Sequence, residues 1–122
     1  MKTTILDSFY IPSSDISPTN SQKVMILMHG LGDSLESYKV LAKEINVTGL
    51  SYLLLNAPKK YYFGYSWYDL PPKDPNPGIR NSVELILKLI HELVETNEHI
   101  SSQDIFLAGF SQGGCIALEC AY

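Results

Sequence analysis

The sequence predicts an α/β protein with a mostly parallel sheet and helices on both faces, and three observations carry that prediction. Short unbroken apolar runs occur at Val24-Met25-Ile26-Leu27-Met28, Tyr52-Leu53-Leu54-Leu55 and Ile105-Phe106-Leu107-Ala108. Each ends in turn residues, His29-Gly30, Asn56-Ala57-Pro58 and Gly109, as strands buried on both faces of a parallel sheet do. Stretches with helical spacing separate them, and alternation of strand and helix is the order that builds parallel crossovers.

In chain order, Ile5 to Ile11 predicts an added edge strand. Between the first two runs, Leu35, Tyr38, Leu41, Ala42 and Ile45 recur at helical spacing, with Asp33 and Glu36 placed to form a capping box. Residues 59–78 read as one long irregular segment, because prolines at 71, 72, 75 and 77 oppose regular structure. Loops of that length inside a compact domain are usually functional. Val83, Ile86, Leu87, Ile90, Leu93 and Val94 then trace a longer helix, with Asn81 and Glu84 as its start signal and Asn97 near its end. A third helix begins after Ser111, at Cys115 to Ala121.

The 122 residues, 45% hydrophobic and 18% charged, suit a single domain over 1–122 with a sizeable core. The net charge of −4 comes from interspersed residues with no basic block, which argues against a nucleic-acid partner. The opening residues mix Thr, Asp and Ser into the apolar ones, so no secretion signal is read there. No apolar run approaches the roughly 18 residues of a transmembrane segment, and the expected location is cytoplasmic. Cys115 and Cys120 lie five apart in one predicted helix and point in different directions, so neither a disulfide nor a metal site is expected.

Gly109-Phe110-Ser111-Gln112-Gly113 fits the pattern G-x-S-x-G between a predicted strand and a predicted helix. A serine on that sharp turn has its hydroxyl lifted above the sheet edge, and the glycines remove Cβ atoms that would collide with neighbouring backbone. The opened helix presents N–H groups toward developing negative charge. An ordinary glycine-rich turn is the competing reading. His29-Gly30-Leu31-Gly32-Asp33 sits in the same way at another strand end, as an oxyanion loop or as a turn with a helix cap. In the first case the Leu31 and Gln112 backbone amides supply the two oxyanion donors. His29 precedes that turn, where a structural role, orienting it through a ring hydrogen bond, suits it better than catalysis. His91 and His99 read as solvated residues on or just after the long helix, and Lys59, Lys60 and Lys73 as solvated loop residues. Tyr61 to Tyr68 concentrates aromatic rings that either line a cleft for an acyl chain or anchor the loop to the core.

With these residues in place, the chain resembles the phospholipase/carboxylesterase family of α/β-hydrolases, which includes acyl-protein thioesterases and lysophospholipases. The resemblance rests on His29-Gly30-Leu31-Gly32-Asp33, Asn56-Ala57-Pro58, Ser66-Trp67-Tyr68-Asp69, Gly78-Ile79 with Ser82, and Gly109-Phe110-Ser111-Gln112-Gly113-Gly114. It implies a serine hydrolase in which Ser111 attacks an ester or thioester carbonyl, the Leu31 and Gln112 amides hold the oxyanion, and Trp67 borders the substrate cleft. The implied substrate is a small-molecule or lipid acyl ester or an acylated protein, and no cofactor is implied, since the chemistry needs protein groups and water alone. The loop is more aromatic than the family leads one to expect.

In α/β-hydrolases the triad follows the chain order serine, acid, histidine, yet no Asp or His follows Ser111 here. Glu119, at 1.5 Å of rise per residue, stands roughly 12 Å along the helix from Ser111 and cannot hold a histidine beside it. The resemblance implies the N-terminal half of a hydrolase, a partial α/β-hydrolase fold truncated after the nucleophile helix. Alone it is expected to be inactive and to expose an apolar strand edge ending at Ala108. The alternative is a non-catalytic module of the same fold that binds acyl chains or a protein partner.

Overall fold

The computed structural model describes residues 1–13, 23–45 and 47–122. The three apolar runs form β2 (Lys23–Met28), β3 (Leu50–Leu55) and β6 (Ile105–Gly109), and the N-terminal segment adds β1 (Ser8–Ile11). They make one sheet in the order β1-β3-β2-β6. β2 runs parallel to both β3 and β6, with Ile26 opposite Leu53 on one side and Leu107 on the other. β1 closes the far edge antiparallel to β3. The mostly parallel α/β class is as the sequence predicts.

Alternation along each strand divides the core between the two faces. Val24, Ile26, Met28, Leu53 and Leu55 pack with Ile86, Leu89 and Leu93 of α2 (Asn76–Thr96) and Ile116 of α3 (Gln112–Ala121). On the other face Tyr52 and Leu54 pack with Leu35 and with Ala42 of α1 (Tyr38–Glu44). Burying each large aliphatic side chain contributes about 1.5–3 kcal/mol, so α2 is held chiefly by its apolar stripe.

Four predicted details differ. The first helix opens as a 3-10 turn at Leu35–Ser37 before α1, and no reciprocal box forms there. The Asp33 carboxylate instead accepts the Ser34 N–H at 2.8 Å and the Ser37 hydroxyl at 2.5 Å, while Glu36 pairs with Lys39 at 2.9 Å. Leu41 and Ile45 of the predicted stripe stay 42% and 48% exposed. α2 begins at Asn76, five residues before Asn81, with Pro77 in its first turn, where a missing N–H costs nothing. Finally, the segment predicted irregular holds a hairpin of β4 (Lys59–Tyr61) and β5 (Gly64–Ser66).

That hairpin is held from outside itself, which is why its own residues gave no strand signal. The Gly32 N–H donates to the Tyr65 carbonyl at 2.9 Å, and the Tyr65 N–H to the Asp33 carbonyl at 3.0 Å. The approach is so close that a Cβ on Gly64 would lie 2.1 Å from the Gly32 oxygen.

Among the described residues β6 has a strand neighbour on one side only. Its Phe106 is 44% exposed and Phe110 beyond it 68% exposed, so an apolar edge stands open as expected. No helix among the described residues is long and apolar enough to cross a membrane.

Candidate active site

Ser111 lies between β6 and α3 with φ 54° and ψ −115°, in the left-handed region that non-glycine residues rarely occupy. The fold imposes this turn through backbone packing with no room for side chains. A Cβ on Gly109 would lie 2.3 Å from the Gly113 carbonyl, and a Cβ on Gly113 would lie 2.3 Å from the Met28 carbonyl. α3 therefore starts hard against the ends of β2 and β6, with the Phe110 N–H donating to the Met28 carbonyl at 3.1 Å. Ser111 is exposed, and its hydroxyl does not cap α3.

The loop from His29 to Asp33 lies beside this turn, since a Cβ on Gly30 would be 3.5 Å from the Ser111 Cβ. The structure thus brings the two glycine motifs together at the carboxyl ends of β2 and β6. Among the described residues, neither the Leu31 amide nor the Gln112 amide donates a hydrogen bond within the chain. Two N–H groups without a partner in the chain, next to an exposed serine, are free to donate to an oxygen on which negative charge develops.

His29 is 1% exposed and lies under the loop. Its Nε2 accepts the Ala57 N–H at 3.0 Å, and its Nδ1 lies 2.6 Å from the Gly30 carbonyl oxygen. Burial pushes its pKa below 6.5, against the opposing influence of the Gly30 hydrogen bond and the Asp33 charge. A neutral ring tied to backbone at both nitrogens has the structural role predicted for it.

Trp67, expected at the border of a cleft, is 1% exposed, with its ring in the core cluster. Its indole N–H finds a buried acceptor, the His29 carbonyl, at 2.8 Å, which fixes the ring inside. The Gln112 side chain also has a part that its motif did not reveal. Its Oε1 accepts the Trp67 N–H at 2.8 Å and its Nε2 donates to the Tyr68 carbonyl at 2.8 Å, while the Ser82 hydroxyl donates to the Trp67 carbonyl at 2.6 Å. The signal for this was the coincidence of a polar residue with a tightly packed helix start. Of the aromatic loop, Tyr65 and Trp67 anchor inward, whereas Tyr62 and Phe63 at the hairpin tip are 85% and 102% exposed.

No general base stands beside Ser111 among the described residues. His91 is exposed near Glu95 on α2, and His99 is exposed just beyond that helix, before β6 begins. α2 places Ser82 near the site and runs away from it, so both histidines lie toward the opposite end of the sheet. Among the described residues no group of three or more His, Cys, Asp or Glu could hold a metal ion.

The parallel sheet, the helices on both faces and the strained serine between strand and helix define a partial α/β-hydrolase fold. The chain belongs to the phospholipase/carboxylesterase family, whose model matches residues 14–122. It is 32% identical to acyl-protein thioesterase 1 homolog 1 of Dictyostelium discoideum over 98% of this chain and 57% of that one. It is 31% identical to an uncharacterized hydrolase of Schizosaccharomyces pombe over 81% of this chain and 46% of the other. Among solved structures, esterase PE8 superposes with a TM-score of 0.79 at 22% identity, over 94% of this chain and 56% of that chain, a likeness of fold. The chain thus spans about half the length of the curated relatives it matches.

Proposed function

We propose that the chain carries the nucleophile and oxyanion-binding part of a serine hydrolase acting on acyl esters or thioesters, of a lipid, a small molecule or an acylated protein. The observation that carries this reading is the φ of 54° at Ser111, a strain that persists only where the surrounding backbone enforces it. In the proposed reaction the Ser111 Oγ attacks the acyl carbonyl carbon and its proton passes to a base. The Leu31 and Gln112 amides hold the oxygen that becomes negative. The alcohol or thiol leaves with a proton, and water then releases the acyl group from Ser111 as a carboxylate. Among the described residues no histidine stands beside Ser111 to act as that base. An apolar groove of about 360 Å³ lined by Leu27, Tyr38, Leu41 and Phe110 adjoins the turn and suits an acyl chain.

A second reading, a non-catalytic module binding an acyl chain or a protein, is favoured by the Ser111 hydroxyl having no hydrogen-bond partner among the described residues. One experiment separates the two. Residues 1–122 are joined to the part of the Dictyostelium homologue that this chain does not span, and hydrolysis of a p-nitrophenyl acyl ester and an acyl thioester is followed. Turnover abolished by Ser111→Ala supports the enzyme; a folded chimera that binds the acyl ester without hydrolysing it supports the module.

A further inference from the structure

We infer that His29 is a positioning residue that sets the direction of the Leu31 amide, and that the end of β3 sets the tautomer with which it does so. The inference rests on the oxyanion role proposed for Leu31.

Ala57, just past β3, has a backbone N–H that can only donate. It donates to His29 Nε2 at 3.0 Å, so that nitrogen carries the lone pair and the ring proton sits on Nδ1. Nδ1–H then donates to the Gly30 carbonyl oxygen at 2.6 Å. The Gly30 carbonyl and the Leu31 N–H belong to one planar trans peptide, so they point in opposite directions. Holding the oxygen against the buried ring therefore aims the Leu31 N–H away from it, and no acceptor among the described residues takes that N–H.

The ring is itself held firmly. Its centroid is 5.5 Å from that of Trp67 and 6.3 Å from that of Tyr65, and the residue's own carbonyl is fixed by the Trp67 indole. The Gly30 oxygen also accepts the Asp33 N–H, at a longer 3.2 Å. Hence two restraints act on this peptide, and the ring supplies the shorter. Trp67 links the arrangement to the second proposed donor, because its backbone N–H is held by the Gln112 side chain. The Gly30–Leu31 peptide and Gln112, which carry the two proposed oxyanion amides, are thus tied to one buried hydrogen-bonded set through His29 and Trp67, with no buried side-chain polar atom left unpaired among the described residues.

The test is nuclear magnetic resonance on the dilute, isotopically labelled 122-residue chain and two variants. In the unmodified chain, long-range ¹⁵N spectra must show the His29 proton on Nδ1; a proton on Nε2 overturns the inference without any variant. The residual dipolar coupling of the Leu31 N–H must match a vector that points away from the His29 ring. His29→Asn places an amide N–H near the Nδ1 position and should keep that coupling, whereas His29→Gln places it near Nε2 and should lose it. If His29→Gln keeps the coupling with the core methyl shifts intact, Asp33 alone orients the peptide and the inference fails. None of these readouts needs turnover, so a chimera that fails to hydrolyse esters would count against the proposed function and leave this result standing.

Discussion

The indole N–H of Trp67 donates to the carbonyl of His29 at 2.8 Å, and both residues are 1% exposed. A tryptophan is thereby placed in the core by its one polar atom, and the loop that follows β2 is pinned from below. Trp67→Phe keeps an aromatic ring and leaves the His29 oxygen buried without that donor. The expected loss is about 1–3 kcal/mol, the desolvation cost of an unpaired buried acceptor, read as a lower urea midpoint with an unchanged slope.

Backbone contact at the Ser111 turn makes neighbouring glycines unequal. A Cβ on Gly113 meets the Met28 and His29 carbonyl oxygens at 2.3 and 2.5 Å, atoms with no rotamer to move aside. Gly113→Ala should cost about 3 kcal/mol or more. At Gly114 the nearest atom is the Gly109 oxygen at 3.2 Å, and the helix gains about 1 kcal/mol from alanine, so Gly114→Ala should change stability little. Urea denaturation of the two variants side by side reads the difference.

Strain at Ser111 predicts a stabilising substitution. Ser111→Gly removes the Cβ from a residue at φ 54° and should raise stability by about 1 kcal/mol, whereas Ser111→Ala keeps the strain and should not. Equal stabilities for the two variants would deny that the turn is strained.

Stability should fall on mild acidification because of His29. Its folded pKa lies below 6.5, chiefly through burial, so the unfolded chain takes up a proton first as pH drops. The stability it contributes is complete above pH 6.5 and is lost as pH falls through the folded value. Carboxyls held low in the fold, Asp69 by its hydrogen bond from Lys59 and Glu92 by the Thr3 and Thr4 hydroxyls, add losses only below their ordinary values of 3.8 and 4.5. His29→Asn should flatten the thermal-midpoint profile just below pH 6.5 while leaving the steeper fall at lower pH.

The strand pattern was legible because β2, β3 and β6 are unbroken apolar runs ending where the chain must turn. The turn at Ser111 was legible because glycines flank a serine between strand and helix. The β4–β5 hairpin was not, since its partners are the backbone of Gly32 and Asp33, far away in sequence. Likewise the burial of Trp67 and the clamp of Gln112 depend on where Ser82 and His29 end up in space. The early start of α2 at Asn76 was hidden by prolines that read as breakers in a loop and as first-turn residues in a helix.

Whether Ser111 takes the acyl group can be read by trapping the acylated protein. The chimera is mixed with a p-nitrophenyl acyl ester, quenched in acid during turnover, digested and mapped by mass spectrometry. One added acyl group is expected on the peptide containing Ser111, absent after Ser111→Ala. Turnover with the acyl group on another residue, or turnover that survives Ser111→Ala, would contradict it.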